Sequence, residues 1–334
     1  MKLDSLNYLE CPKCHGHLIL NRNITDNKVI LNAKLKCQNS NCRSSFQINE
    51  GLADLLVDND YLEKKVVSSF GYEWGLHLNN KLEKKTVFGR NQEKELDYFF
   101  TACNISPNFL KNKVILDAGC GSGKLTLLLN KYQPKFIFGI DIHSGLLLAS
   151  EATQRTLNCE IVRADIFNPP FNNRTFDIVW CNGVIHHTPN PYLAFNQLAK
   201  LVKKRGRLYV WIYEKRFSPF KITKDLFRLS RLDRLPYPFL LLISRLLALI
   251  SYFLLKIVQL GWILFKPKYK DNYFISNIVK KRTYNELVMT WFDSLSPKYD
   301  FRFREDEVKE WFKSTGFSDL TFQPNKIGIC GIKK

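Results

Sequence analysis

The chain is short of acidic residues, and its first ten residues contain no apolar run. Fifty Lys and Arg outnumber 31 Asp and Glu, which leaves a formal net charge of +19. Such an excess favours an anionic partner (nucleic acid, an acidic membrane face or a phosphorylated substrate), although solvated basic faces would give the same composition. The opening MKLDSLNYLE lacks the apolar segment of a secretory signal. We therefore expect a cytoplasmic protein whose nine cysteines are thiols or metal ligands, not disulfides.

Internal repeats and low-complexity linkers are also lacking, which excludes solenoid and repeat architectures. With 334 residues, 45% of them hydrophobic, the chain can bury a large core and still hold an accessory module. Composition predicts four segments: a cysteine-bearing module at 1–57, an α/β core at 58–214, an insertion at 215–300, and a closing helix with strands at 301–334.

Five short apolar runs alternate with helical stretches in the core. They are KVILDAG, KFIFGID, CEIVRAD, FDIVWCN and RLYVWIY. Continuous apolar runs of this length are typical of parallel strands that are buried on both faces. The alternation predicts an α/β fold with a doubly wound, Rossmann-like sheet, in which ligands bind at the carboxyl ends of the strands.

A glycine-rich loop follows the first of these strands. In VILDAGCGSGKL, Gly119, Gly121 and Gly123 stand between the strand and the next helix. The G-x-G-x-G spacing differs from the G-x-G-x-x-G of dinucleotide sites. A phosphate-binding P-loop is disfavoured because Ala118 and Leu125 replace its first Gly and its Ser or Thr. The remaining interpretation is the S-adenosylmethionine loop D-x-G-C-G-x-G, which residues 117–123 match in full.

On these motifs, residues 113–213 resemble class I S-adenosylmethionine-dependent methyltransferases, in the group that includes the ubiquinone- and menaquinone-biosynthesis enzymes. The resemblance implies that Asp117 lies near the methionine part of the cofactor, Asp141 near the ribose and Asp165 near the adenine. Taken singly, Asp141 or Asp165 would be a helix cap or turn residue. The predicted cofactor set is Asp117, Gly119, Gly121, Gly123, Asp141, Ile142, Asp165, Ile166 and Asn182.

Two histidines follow the fourth predicted strand, in CNGVIHHTPNP. His186 or His187 could remove a proton from the methyl acceptor, since an imidazole titrates near neutrality. The alternative is that the pair only shapes the loop. Nearby, residues 168–171 spell NPPF, a tetrapeptide of amino-methylating enzymes. It follows the third strand here instead of the fourth, which favours a rigid turn built by its two prolines.

Four cysteines form two knuckles, Cys11–Cys14 and Cys37–Cys42. Paired thiolates a hairpin's length apart predict a tetrahedral zinc site in a small β-rich ribbon. The pattern resembles zinc-ribbon proteins that accompany some RNA- and protein-modifying methyltransferases. We leave open whether this ribbon recognises a partner or substrate, or is a structural cap on the core. His15 and His17 are expected to be surface residues.

The insertion follows the fifth predicted strand, so it should overhang the acceptor site. It begins basic and becomes apolar from Pro236 to Phe265, where Arg245 and Lys256 leave no uncharged stretch long enough to span a membrane. Two placements remain: a lid over the acceptor, or an interfacial helix on an anionic membrane. The basic residues are Lys215, Arg216, Lys221, Lys224, Arg228, Arg231 and Arg234.

The sequence therefore predicts a methyltransferase that uses S-adenosylmethionine, contains zinc and acts on a small or lipid-linked acceptor, with peripheral membrane contact. Two alternatives stay open. One is an RNA or protein methyltransferase that recognises its substrate through the ribbon. The other is a catalytically silent, zinc-dependent scaffold, against which the intact glycine loop and Asp141 argue.

Overall fold

A computed structural model describes residues 1–21, 29–61, 64–78, 91–215, 232–265, 282–323 and 327–334. The chain divides into two compact units. The first comprises Met1–Trp74, Gln92–Arg216 and Lys298–Lys334, and the second Gly75–Asn91 and Phe217–Pro297. The cysteine-bearing module and the α/β core thus share one unit. In the predicted basic stretch, Arg216, Lys221, Lys224, Arg228 and Arg231 lie outside the described residues.

The first unit is built on one sheet. Its strands are β1 (Leu18–Leu20), β2 (Ala33–Cys37), β3 (Ser45–Asn49), β4 (Leu52–Asp54), β5 (Val114–Ala118), β6 (Phe136–Asp141), β7 (Cys159–Arg163), β8 (Phe176–Asn182), β9 (Val202–Trp211), β10 (Phe317–Phe322) and β11 (Gly328–Lys333). Within the described residues their order is β1-β2-β3-β4-β7-β6-β5-β8-β9-β11-β10.

The central five strands confirm the predicted doubly wound sheet. Strands β7, β6, β5, β8 and β9 are mutually parallel, and β11 joins β9 antiparallel. Among these five strands the chain starts at β5, adds β6 and β7 on one side, and then returns to place β8 on the other. The carboxyl ends of β5 and β8 therefore flank the switch point where such folds bind ligands.

Buried apolar side chains pack on both faces of this sheet and form two core clusters. On β5, Ile115 belongs to one core cluster and Leu116 to the other, and on β8 Ile178 and Val179 divide in the same way. This alternation follows from the two-residue period of a strand, which points successive side chains to opposite faces. Both faces are covered, so the strands read as continuous apolar runs in the sequence.

The helices are α1 (Lys64–Leu78), α2 (Gln92–Cys103), α3 (Lys124–Leu129), α4 (Leu146–Gln154), α5 (Pro191–Leu201), α6 (Tyr237–Phe265), α7 (Tyr284–Leu295) and α8 (Glu305–Ser314). The start of α5 illustrates the local chemistry. The Asn190 side chain accepts a hydrogen bond from the Leu193 backbone N–H, and Pro191 occupies the first helical position, where no N–H is needed.

The N-terminal strands continue the sheet beyond its parallel part. Strand β4 pairs in parallel with β7, with Ala53 opposite Val162. An ion pair of 2.7 Å between Arg163 and Asp54 lies on this junction. Leu35, Phe46 and Ile48 of the N-terminal strands belong to the same buried cluster as Val162 and Phe138. The ribbon and the core therefore share one hydrophobic interior.

A buried charge pair adds a second link between the two. The Lys2 ammonium lies 3.8 Å from the Glu160 carboxylate, and both side chains are at most 6% exposed. The same ammonium donates to the backbone carbonyls of Thr153 and Cys159. In the NPPF turn, the Pro170 carbonyl accepts from the Glu10 N–H, so this turn anchors the ribbon to the core.

The second unit is described for α6 and α7, which pack against each other. Trp291 on α7 donates its indole N–H to the Ser251 hydroxyl at 2.9 Å, and Tyr284 donates to the Arg245 carbonyl at 3.1 Å. By length and composition, residues Tyr237–Gly261 of α6 could cross a membrane, and little of this stretch is buried within the protein. The two charges at Arg245 and Lys256 thus do not remove α6 from the candidate spans.

Candidate functional site

The glycine loop closes tightly over the end of β5. Gly119 and Gly121 have φ values of +78° and +54°, a region that side chains with a Cβ avoid. A Cβ on Gly119 would lie 2.2 Å from a Val184 methyl carbon, and one on Gly121 would lie 2.3 Å from the Trp74 indole. The loop therefore leaves no room for side chains at Gly119 and Gly121, beside the switch point between the ends of β5 and β8. Gly123 caps α3 in a left-handed conformation.

The predicted acidic residues lie along one edge of the sheet in neighbouring strands. Asp141 ends β6, and its carboxylate accepts from the backbone N–H groups of Gly121 (2.9 Å) and Ile142 (2.8 Å). Asp165 and Ile166 follow the next strand, β7. The Asp165 carboxylate accepts from the Phe167 N–H and, at 3.0 Å, from the Asn59 amide.

Together with Asp117 on β5 and Asn182 at the end of β8, these residues form a row in the order β7, β6, β5, β8. The row matches the order adenine, ribose, methionine that the resemblance implies. Asn182 is the last residue of this row, on β8, and its side-chain oxygen accepts a hydrogen bond from the Tyr98 hydroxyl at 3.3 Å. The described structure therefore brings all the predicted cofactor residues to one edge, while their individual roles stay predictions.

Asp117 is buried beneath the loop and is 3% exposed. Burial, together with the charges of Glu95 and Asp141, raises the pKa of this carboxyl to about 7, and the hydrogen bond from Thr126 opposes that rise. The Thr126 hydroxyl donates to Asp117 at 2.7 Å. A buried carboxylate among other carboxylates is a favourable environment for a ligand that bears a positive charge, such as a sulfonium or an ammonium group.

Two residues outside the predicted set complete the loop's surroundings. Trp74 of α1 packs on Gly121 and stacks near the His143 ring, with centroids 6.3 Å apart. His143 is fully buried, and its Nε2 lies 2.9 Å from the Gly121 carbonyl. Because a carbonyl only accepts, Nε2 is the donor, and in the neutral ring Nδ1 is then an acceptor. That Nδ1 has no hydrogen-bond donor among the described residues, so it offers a buried acceptor to a ligand's hydroxyl or amine.

The sequence contained a signal for one of these residues. The segment SSFGYEWG, which includes Trp74, is aromatic and precedes the first core strand. An aromatic segment at this point can fold over the loop or pack on the sheet, and Trp74 lies against the loop. His143 is two residues beyond Asp141, and its position after a strand end was its only signal. Asn59 had none, because nothing local links it to Asp165, 106 residues away.

The two predicted histidines lie within an aromatic cluster beyond β8. The His186 ring is 4.0 Å from the Tyr213 ring and 5.9 Å from Trp211, centroid to centroid. Burial, with the charges of His187 and Arg302, holds the pKa of His186 well below its usual range. Both nitrogens of this buried ring lack hydrogen-bond partners among the described residues. His186 is therefore neutral at physiological pH.

His187 has a fixed tautomer. Its Nδ1 lies 2.8 Å from the backbone carbonyl of Tyr299, and a carbonyl can only accept, so Nδ1 donates and, in the neutral ring, Nε2 holds the lone pair. The Phe70 ring of α1 packs 5.6 Å from the His187 ring. A buried imidazole with one nitrogen held by a backbone carbonyl has the geometry of an oriented proton acceptor.

The four predicted metal ligands come together at the ribbon's tip. The sulfur atoms of Cys11, Cys14, Cys37 and Cys42 all lie within 4.8 Å of one another. The Cys11–Cys42 and Cys14–Cys37 sulfur distances are 3.7 and 3.4 Å. Tetrahedral zinc with bonds of about 2.3 Å requires sulfurs about 3.8 Å apart. The cluster therefore fits a structural Cys₄ zinc site, which would hold the two knuckles together.

This sheet order, the glycine loop and the row of carboxylates are the features of a Rossmann-like domain, with the loop and the strand ends arranged as in folds that bind a nucleoside cofactor. Residues 116–210 match the family described as "Methyltransferase domain". The match spans β5 to β9, the part of the chain that holds every predicted cofactor and catalytic residue.

Relatives agree with this class. The chain is 30% identical over 116 residues to a ubiquinone biosynthesis O-methyltransferase of Coxiella burnetii, covering 34% of this chain and 49% of the relative. It is 32% identical over 95 residues to a malonyl-(acyl-carrier protein) O-methyltransferase of Herminiimonas arsenicoxydans, covering 28% of this chain and 35% of the relative. The chain thus spans about half, or less, of the length of these curated relatives.

Among solved structures, the chain is similar to a magnesium protoporphyrin IX methyltransferase from Synechocystis with bound SAH. The TM-score is 0.40 and the identity 13%, and the likeness covers 73% of this chain and 83% of that one.

Proposed function

We propose that this protein transfers a methyl group from S-adenosylmethionine to a small or lipid-linked acceptor. The observation that carries the proposal is the row of Asp165, Asp141 and Asp117 at the ends of three neighbouring strands, beside a loop of bare backbone. The two curated relatives, an O-methyltransferase of ubiquinone biosynthesis and one that acts on malonyl-(acyl-carrier protein), support an acceptor of this class.

The position of each residue at the strand ends indicates its role in cofactor binding or proton transfer. The cofactor supplies an electrophilic methyl group on a sulfonium, so the protein must bind it, place the acceptor in line and take up a proton if the acceptor has one to lose. The loop backbone, Asp141 and Asp165 would hold the nucleoside. Asp117 and the Nδ1 of His143 would face the methionine side. His187, through its free Nε2 lone pair, would accept the proton.

Asp141→Ala tests the cofactor assignment. The variant removes the carboxylate that would accept from the ribose hydroxyls, and a lost hydrogen bond to a charged group costs about 1–3 kcal/mol, or about 5- to 150-fold in Kd. Calorimetric titration with S-adenosylmethionine measures this change.

Two further variants make the result specific. Asp141→Asn keeps one acceptor oxygen and should lose less affinity. Asp306→Ala removes an exposed carboxylate on α8 that forms an ion pair with Arg304, and should leave affinity unchanged. An Asp141→Ala protein that keeps its Tm and binds the cofactor as well as the wild type does would contradict the proposal.

A further inference from the structure

Helix α6 has one face that nothing in the described structure covers. Ten large apolar side chains between Phe239 and Leu260 are 45–67% exposed. Many of them recur at three- and four-residue spacing, as in Leu242, Leu246, Phe253 and Ile257, which places them in one stripe along the helix. At about 1.5 Å per residue the stripe is about 30 Å long. An apolar surface of that extent usually marks an interaction site.

The opposite face of α6 is already occupied. Leu240, Ser244 and Ala248 are fully buried, and at about 100° per residue they lie about 180° from the exposed stripe. Trp291 of α7 contacts this side through Ser251. The exposed stripe is therefore not the face by which α6 packs within its own unit.

The polar groups of α6 lie between these two faces. Arg245, Tyr252 and Lys256 fall in one narrow arc at the border of the apolar stripe, and the Lys256 ammonium lies 5.3 Å from the centre of the Tyr252 ring. Long basic side chains and tyrosine in this position can keep an apolar stem in hydrocarbon while the polar end reaches water. This arrangement is typical of a helix that lies in the plane of a membrane surface.

The positive charge of the segment around α6 favours a membrane of anionic lipids. Residues 233–271 contain six Lys or Arg against two Asp, which stand at the two ends of this range. Each basic residue close to an anionic membrane adds to the electrostatic attraction. The chain as a whole, at +19, adds to this attraction over the distance that salt permits.

A membrane span would require more than α6 alone. Helix α7, which packs on α6, has only 12 residues, too few to cross about 30 Å of hydrocarbon. It also contains Glu286 and Asp293. A span would therefore carry both acidic residues and the Trp291–Ser251 contact, near the middle of α6, into the hydrocarbon region, where acidic side chains are costly.

We propose that the exposed apolar face of α6 inserts, parallel to the membrane plane, into the surface of an anionic lipid bilayer. Phe253 and Ile257 enter the acyl-chain boundary, and Arg245 and Lys256 contact the headgroup phosphates. This inference rests on α6 and its charges, and it stands whether or not the methyltransferase assignment holds.

Vesicle sedimentation of the full chain tests the proposal. Vesicles of phosphatidylglycerol and phosphatidylcholine should bind the protein, and vesicles of phosphatidylcholine alone should bind it much more weakly. Binding should weaken as NaCl rises from low salt, since the attraction is screened. Phe253→Gln with Ile257→Gln should lower the partition coefficient at least tenfold, because burying each side chain stabilises the bound state substantially.

A matched control is Leu148→Gln with Leu157→Gln. These residues are also exposed, at 48% and 87%, but lie in the first unit, and their replacement should leave binding unchanged. Equal loss in both double variants, or no binding to anionic vesicles at low salt, would overturn the proposal.

Two other occupants give distinct results. A second copy of the chain on this face would appear as a dimer in sedimentation velocity without lipid, dissociated by the Phe253 and Ile257 changes, with no vesicle binding. A spanning helix would leave the protein in the membrane after alkaline carbonate extraction of cells, whereas an interfacial helix is released. Either result would replace the interfacial assignment.

Discussion

Asp117 is a carboxyl group whose ionisation is opposed by its surroundings. Its pKa of about 7 lies far above the usual value of about 3.9. A raised carboxyl pKa means that the folded chain holds the proton more tightly than the unfolded chain does. The stabilising contribution of this proton is therefore complete below about pH 4 and is lost as pH rises through about 7.

Asp117→Asn should reveal both consequences. The amide cannot ionise and can still accept from Thr126, so we expect its Tm at pH 8 to exceed that of the wild type by about 3–6 °C, with a flatter dependence between pH 5 and 8. Affinity for S-adenosylmethionine should fall, because the cationic cofactor favours the ionised carboxylate. In the wild type the affinity should rise with pH through about 7. A wild-type affinity that does not change between pH 6 and 8 would argue against Asp117 as the cofactor's counter-ion.

Substitutions at the neighbouring residues His187 and His186 are expected to affect activity differently. His187→Gln removes the oriented lone pair, and we expect kcat to fall by about 10²- to 10⁴-fold with cofactor affinity unchanged. His186→Phe fills the space beside Tyr213 with another ring, and most of the activity should remain. Transfer of labelled methyl groups to small molecules of a cell extract measures both. Activity that is lost in His186→Phe and kept in His187→Gln would reverse the assignment.

The residue types of the site were predictable where a motif fixes them. Glycines with positive φ, a carboxylate at each strand end and paired cysteines are required by backbone geometry and ligand chemistry, so they appear in the sequence at set spacings. Asn59 and His143 could not be found in that way. Their contacts with Asp165 and Gly121 depend on how distant segments pack.

Among the elements, the five core strands lie where their apolar runs predicted them. The sequence after β8 has a helical pattern from Tyr192 to Lys204, but the helix ends at Leu201. Val202 there already pairs with Phe176 at the start of β9, so sheet pairing overrides helical propensity. Strand β4 is three residues long, and no local pattern could show that it would extend a parallel sheet.

Zinc binding at the two knuckles should stabilise the whole chain and not only the ribbon. Cys11→Ser with Cys14→Ser should abolish zinc binding, as measured by metal analysis. Because Leu35 and Phe46 share a core with Val162, the Tm of the whole chain should fall as well. His15→Ala with His17→Ala is the matched control, since both residues are exposed beside the knuckle, and it should keep its zinc. A zinc-free double Ser variant with an unchanged Tm would show that the ribbon folds separately.

For the whole molecule, the larger segment of the second unit, Phe217–Pro297, can be replaced without a long bridge. The chain leaves the first unit near Lys215 and re-enters near Phe303, and the Lys215 N–H donates to the Phe303 carbonyl at 2.8 Å. We expect that replacing residues 217–297 with a short Gly/Ser linker leaves S-adenosylmethionine binding intact. Methylation should be abolished if this unit governs the acceptor. Loss of cofactor binding in a deletion variant that remains folded would contradict this separation.

The pairing of β4 with β7 also sets an order of events during synthesis. Asp54 and its partner Arg163 are 109 residues apart in the chain. The knuckle cysteines leave the ribosome long before β7 is synthesised, so zinc can bind and fold the ribbon early. Until β7 is made, the edge strand β4 has no partner on the side where β7 pairs. At about 5–20 residues per second, that wait lasts about 5 to 20 seconds. During this interval β4 is an open template for strands of other chains. Slow translation or overproduction should therefore favour aggregation through this edge, ahead of any defect in the finished fold.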